Sequence, residues 1–209
     1  MNGRNFFLVV AAVIGCVLPA CKTAKPRDVI VLSTARLAAD FESYRFERVG
    51  VMPLEGDLDD ESARALQADL FAELSRSTPY ELVTLSAADL AEVRRWDPMR
   101  TGGHVPEALV EISQRFRLDA VLFSQVPLRR IYPPLEISLA AELVASETGQ
   151  VVWNAAVHLD ANDERVRHGL EGYFAREHRA ESGGAGWQLA LLSPTRFARF
   201  AAFQIALQL

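Results

Sequence analysis

Cysteine is scarce in this chain, and both cysteines lie near its start. The 209 residues include two, Cys16 and Cys21. The chain after Cys21 therefore cannot form a disulfide, even in a compartment that would allow one. Its length of about 188 residues suits a single domain that is stabilised by the packing of a sizeable core.

A surplus of positive charge is also absent. The chain carries 22 lysines and arginines against 27 aspartates and glutamates, a net charge of −5. This acidic balance argues against nucleic acid as a partner and against electrostatic adhesion to anionic lipid, because both attract basic surfaces. Contact with a membrane would therefore need a different anchor.

The common catalytic signatures are missing as well. There is no Gly-x-Ser-x-Gly element, Glu177 and His178 do not belong to a His-Glu-x-x-His helix, and the glycine-rich segment 183–186 lacks the Lys-Ser/Thr pair of a phosphate loop. We therefore expect a protein that is not an enzyme and that holds no cofactor.

Imidazole and carboxylate groups, the usual ligands of several metal ions, occur close together at His158, Asp160, Asp163 and His168. Their spacing does not match a common metal motif. His158 falls on the outward face of a predicted strand, and Asp160 or Asn162 is placed to cap the helix that follows. We therefore expect solvated or capping side chains here and no metal site.

One long apolar run is present, at the start of the chain. Arg4 precedes an unbroken apolar stretch from Phe6 to Leu18, which ends at Pro19. A positively charged start, an apolar stretch and a small residue at the end are typical of a secretory signal peptide. Because the stretch is shorter than the roughly 20 residues of a transmembrane helix, residues 1–20 are predicted to be a cleaved signal peptide.

The end of this run indicates how it is processed. Leu18-Pro19-Ala20-Cys21 resembles the bacterial lipoprotein processing box, in which the cysteine is acylated and becomes the first mature residue. The segment that ends at Cys16 fits the same box, and an ordinary signal peptide is a further alternative. We prefer lipidation at Cys21 because the chain becomes polar immediately after it.

The remaining chain is predicted to form a tether at residues 21–46 and a single α/β domain at residues 47–209. Apolar runs and two-residue alternation predict strands over about 48–54, 80–85, 120–126, 135–143 and 151–159, the last three as an antiparallel meander. Helical spacing and caps predict helices near 63–78, 86–96, 106–116, 162–174 and 193–203. The fold class is therefore α+β, with helices packed on a mixed sheet of about five strands.

Three of these segments carry a family resemblance. Residues 48–54 (RVGVMPL), 119–126 (DAVLFSQV) and 148–153 (TGQVVW) resemble the amino-terminal domain of TolB, the penicillin-binding-protein activator lipoproteins and the periplasmic part of the curli secretion lipoprotein CsgG. The resemblance covers about residues 47–160 and lies in the pattern and order of elements. It implies a TolB-like fold in the bacterial envelope.

Aromatic residues and prolines at the ends of elements are candidates for partner contact. Trp96 and Tyr132, the latter followed by Pro133 and Pro134, lie where the core does not need a ring. The alternative is that they pack over the edge of the sheet. Trp153, by contrast, faces inward on its strand and is predicted to belong to the core.

These observations lead to one expected function and one alternative. We expect a non-catalytic lipoprotein, anchored at the periplasmic face of the outer membrane, that assists an envelope machine by protein contact. Lys22 favours the outer over the inner membrane, because inner-membrane retention usually shows Asp after the lipidated cysteine. The alternative is a subunit of a CsgG-like export channel, although no spare pair of long alternating strands is left to form its membrane-spanning hairpins.

Acylation of Cys21 is a direct test of the anchor. Metabolic labelling with a palmitate analogue is expected to mark the wild-type protein and to fail with Cys21→Ser, because the thiol accepts the lipid. Undiminished labelling of Cys21→Ser, lost instead in Cys16→Ser, would move the processing site to Cys16.

Overall fold

One mixed sheet of seven strands organises the structure. The computed structural model describes residues 29–91, 93, 106–177 and 186–209. The strands are β1 (Ser33–Leu37), β2 (Arg48–Val51), β3 (Glu55–Gly56), β4 (Glu81–Thr84), β5 (Ala120–Arg130), β6 (Glu136–Ala145) and β7 (Val151–Asp160). The helices are α1 (Asp60–Ser77), α2 (Ala87–Ala91), α3 (Pro106–Phe116), α4 (Glu164–Glu177), α5 (Gly186–Ala190) and α6 (Pro194–Ala206).

The order of strands in the sheet is β1-β7-β6-β5-β2-β4, and β3 pairs with β5. β2 is parallel to β4 and β5, whereas β5, β6, β7 and β1 pair antiparallel in turn. Helices lie between the parallel strands along the chain, since parallel pairing requires a crossover. The predicted α+β class, the five predicted strands and the antiparallel meander are confirmed, and β1 and β3 are additional strands.

Helices cover the two faces of the sheet unequally. On one face, α1, α4, α5 and α6 bury the inward residues of the meander, including the predicted core residue Trp153. On the other face, α2 and α3 cover a smaller cluster in which Ile112 packs with Val121 and Val144. The larger core follows from the alternation along most of β6 and β7, which directs every second side chain to the same face.

Local side-chain caps fix where the helices begin. Ser86 and Asp89 form the predicted capping box before α2: the Ser86 backbone N–H donates to the Asp89 carboxylate at 2.8 Å, and the Asp89 N–H donates to Ser86 Oγ at 3.2 Å. Hydrogen bonds from the Ser86 side chain and backbone hold the pKa of Asp89 below its usual value. Ser193 caps α6, with Pro194 in its first turn, as predicted.

The predicted cap of α4 requires a correction. The sequence predicts Asp160 or Asn162 as the cap, but Asp163 accepts the hydrogen bond from the Arg165 backbone N–H, at 2.8 Å. Asp160 instead accepts from the Asn162 backbone N–H, also at 2.8 Å, in the turn before the helix. The three side chains have similar capping preference, so the choice depends on the path of the chain leaving β7.

The predicted tether is wrong for the residues that form β1. Ser33–Leu37 pairs antiparallel with β7, from Ser33 opposite Val157 to Leu37 opposite Trp153. The buried amide of Gln204 on α6 secures the entry to this strand: it accepts from the Leu32 N–H at 2.7 Å and donates to the Ile30 carbonyl at 3.0 Å. An edge strand held largely through backbone bonds needs few apolar side chains, which explains its weak sequence signal.

Removing β1 should therefore destabilise the domain. A chain that begins at Glu47 is expected to lose about 3 kcal/mol or more of unfolding free energy relative to one that begins at Val29, because Gln204 loses its buried partners and β7 becomes an exposed edge. Urea denaturation of both chains measures the difference. Equal unfolding free energies of the two chains would mean that residues 29–46 act as a tether.

Candidate partner-contact surface

The end of β5 and the turn that follows it present a group of exposed apolar residues. Tyr132 is 75% exposed, Leu128 44% and Ile131 43%. Pro133 and Pro134, which follow Tyr132, are also exposed. We call these five residues the apolar tip. Prolines cannot donate to a strand ladder, so the chain leaves the sheet here and returns at the buried Leu135.

The base of the tip is fastened to the start of α1. Arg129, whose side chain is 14% exposed, donates to Ser62 Oγ at 3.1 Å and lies 3.8 Å from the carboxylate of Asp59. Asp59 caps α1 by accepting from the Ser62 backbone N–H at 2.8 Å. This hydrogen bond, with smaller contributions from the Ser62 hydroxyl and from Arg129, lowers the pKa of Asp59 below its ordinary value.

A second set of polar contacts crosses the hairpin below the tip. Arg130 and Glu136 are paired residues of β5 and β6, and their side chains form an ion pair. Glu136 also lies 3.5 Å from His158 Nε2 on β7, and His158 Nδ1 is 2.8 Å from the hydroxyl of Ser138. The base of the tip is therefore held on both sides by side-chain contacts, while the tip itself projects into solvent.

The four side chains weighed above as metal ligands do not converge. His158 belongs to the hairpin contacts, and Asp160 and Asp163 serve the turn before α4. His168 lies on α4 with Glu171 3.7 Å away. Within the described ranges, no three His, Cys, Asp or Glu residues are grouped so as to hold a metal ion.

The structure places some of the predicted site residues but not others. Tyr132, Pro133 and Pro134 lie together and exposed, which is at odds with packing over a sheet edge; their contact with a partner stays a prediction. Trp96 and the lipidation candidate Cys21 lie outside the described residues. None of the helices in the described ranges has both the length and the apolar character needed to cross a bilayer.

Two members of the tip were missed at the sequence level. Ile131 directly precedes Tyr132 and could have been recognised from the apolar run into the prolines. Leu128 could not, because the register of β5 against β6 shifts between Gln125 and Leu128 and this irregularity determines which way the side chain points. The fastening role of Arg129 was also missed, since its partners lie far away in sequence.

Comparison with known proteins finds similarity in structure. No protein-family model and no curated protein matches the sequence. Among solved structures, the chain is similar to the PelC dodecamer from Paraburkholderia phytofirmans, with 13% identity and a TM-score of 0.44 over 81% of this chain and 97% of PelC. It is also similar to lipoprotein GNA1162 from Neisseria meningitidis, with 19% identity and a TM-score of 0.42 over 65% of this chain and 99% of GNA1162.

TolB, named above from the sequence pattern, is another of these structures. TolB from Acinetobacter baumannii is 12% identical to this chain, with a TM-score of 0.34 over 70% of this chain and 30% of TolB. The structures similar to this chain thus include TolB and a bacterial lipoprotein, the two kinds of protein that the sequence resemblance names.

Two adjacent arginines provide a matched test of how the tip is held. Arg129→Leu is expected to lower the unfolding free energy by about 1–2 kcal/mol, because it removes a hydrogen bond from a largely buried cation to Ser62. Arg130→Leu is expected to cost less than about 1 kcal/mol, because that arginine is half-exposed. Denaturant unfolding of the two variants measures this. A loss of less than about 0.5 kcal/mol in Arg129→Leu would show that Arg129 does not fasten the tip.

Proposed function

We propose that this protein is a non-catalytic lipoprotein, anchored through Cys21 at the periplasmic face of the outer membrane, that assists an envelope machine by protein contact. The observation that carries the proposal is the apolar tip. Its large side chains are exposed at the end of β5 and on the turn after it, and the base of this turn is fixed by Arg129 and by the pair of Arg130 with Glu136.

The composition and support of the tip suit a binding surface. Single exposed apolar residues are ordinary, but a contiguous group is typical of a site that another molecule covers. Tyrosine is enriched among the residues that dominate binding energy, because its ring buries a large area and its hydroxyl stays hydrogen-bonded. A turn that is already ordered loses less conformational entropy on binding than a flexible one.

The path of β1 relates the tip to the proposed anchor. Since β1 is antiparallel to β7, its first residues lie at the same end of the sheet as Asp160, which pairs with Glu136 beside the tip. The chain from Cys21 to Val29 can span at most about 28 Å. A lipid on Cys21 would therefore keep the tip near the membrane, which favours a partner that is itself embedded in or close to that membrane.

Site-specific crosslinking in cells tests the function. A photoreactive amino acid in place of Tyr132 is expected to crosslink the protein to an envelope partner. The same group in place of Leu37, an exposed leucine at the opposite end of β1, should not. Tyr132→Ala should reduce copurification of that partner and change the unfolding free energy by less than about 0.5 kcal/mol, because the side chain makes little packing contact.

Three outcomes would contradict the proposal. A large loss of stability in Tyr132→Ala would make the ring part of the core. Equal crosslinking from positions 132 and 37 would show that the tip is not the surface that contacts the partner. Detergent-dependent rings of many subunits that conduct ions across a planar bilayer would replace the accessory function with that of an export channel.

A further inference from the structure

A groove lies at the other end of the molecule from the apolar tip. α1, α4 and α6 all begin near the tip end and run away from it. Arg129 at the base of the tip contacts the start of α1, and Thr195 at the start of α6 lines the same small pocket as Arg129. α4 begins shortly after Asp160, which pairs with Glu136 beside the tip. Their last turns enclose a groove of about 380 Å³, with Tyr173, Phe203 and Leu207 among its apolar lining. This volume lies within the range of ligand sites, about 300–1,000 Å³.

Two arginines border this groove. Arg76 at the end of α1 and Arg176 at the end of α4 each donate from Nε to a carbonyl of their own helix, four residues back, at 3.0 Å and 3.4 Å. The Arg176 guanidinium lies over the ring of Phe203, with its central carbon 5.6 Å from the ring centroid. The guanidinium is thus held over the ring, and its terminal nitrogens have no hydrogen-bond acceptor among the described residues.

The negative charge beside the groove is already neutralised. Glu73 is 6% exposed, accepts from the Tyr173 hydroxyl at 2.9 Å and forms an ion pair with Arg76 at 2.9 Å. This leaves Arg176 as the positive charge that the groove offers to an incoming group. The Arg176 cation, held over the apolar lining of the groove, complements a ligand that combines an apolar side chain with a carboxylate.

We propose that the groove between the ends of α1, α4 and α6 binds a short peptide segment of a partner protein that carries an aromatic or aliphatic side chain next to a carboxylate. The apolar side chain packs on Phe203 and Leu207, and the carboxylate accepts hydrogen bonds from the terminal nitrogens of Arg176. This site is separate from the apolar tip, so its occupancy does not depend on the function proposed above.

Fluorescence anisotropy with labelled peptides tests the site on the purified full chain. The probe is a peptide with Phe-Glu between Gly-Ser flanks, and the controls replace Glu by Gln or Phe by Ser. The Phe-Glu peptide is expected to bind at least about fivefold more tightly than either control, because each control lacks one of the two contacts. Arg176→Gln should abolish the preference for Glu over Gln.

Two further variants separate binding from folding. Arg165→Gln removes an exposed arginine from the first turn of the same helix and should leave the preference intact. Arg176→Lys keeps the charge without the planar group and should retain part of the preference. Melting curves of all the variants are expected to coincide, because both arginines are exposed.

The following results would overturn the proposal. Equal binding of the three peptides, or no binding up to millimolar concentrations, would show that the groove has no carboxylate site. Retention of the full preference for Glu over Gln in Arg176→Gln would show that another residue recognises the carboxylate. Binding of anionic phospholipid vesicles that is lost in Arg176→Gln, with no peptide binding, would assign the groove to a lipid headgroup instead.

Discussion

The pairing of β5 on both of its edges is the constraint on which the rest of the structure depends. Along one edge, β5 pairs in parallel with β2. Along the other edge, it pairs antiparallel with β6 over most of its length. β5 therefore joins the part of the sheet built by helical crossovers to the part built by hairpins. At eleven residues it is much longer than β2, and its far end carries the apolar tip beyond the parallel strands.

Much of this arrangement follows from simple periodicity. The alternation in β6 and β7 and the nearly continuous apolar start of β5 predict a half-covered meander beside a buried strand, and the structure has both. The sequence pattern does not predict a strand that is held by backbone hydrogen bonds rather than by the packing of apolar side chains. β1 is paired along its length with β7 and secured by Gln204, which comes from a helix more than 170 residues later in the chain.

One of the two candidate surfaces can be predicted from the sequence, and the other cannot. Tyr132 and its prolines are visible in the sequence, because a ring beside residues that cannot join a ladder has no obvious place in a core. The groove cannot be predicted in this way. Its lining includes residues from three different helices, namely Arg76, Arg176 and Phe203, and each of them taken alone is an ordinary helix residue. Only the common direction of the three helices brings their last turns together, and that direction is set by tertiary packing on the sheet.

This common direction also separates the two surfaces. The first turns of α1 and α6 lie beside the base of the apolar tip, and their last turns border the groove. A helix of 18 residues such as α1 is about 27 Å long, so a molecule held by the tip at one end can present the groove at a similar distance. If the chain is anchored as we propose, the tip faces the membrane and the groove faces away from it. Two partners could then be held at once, because neither surface covers the other.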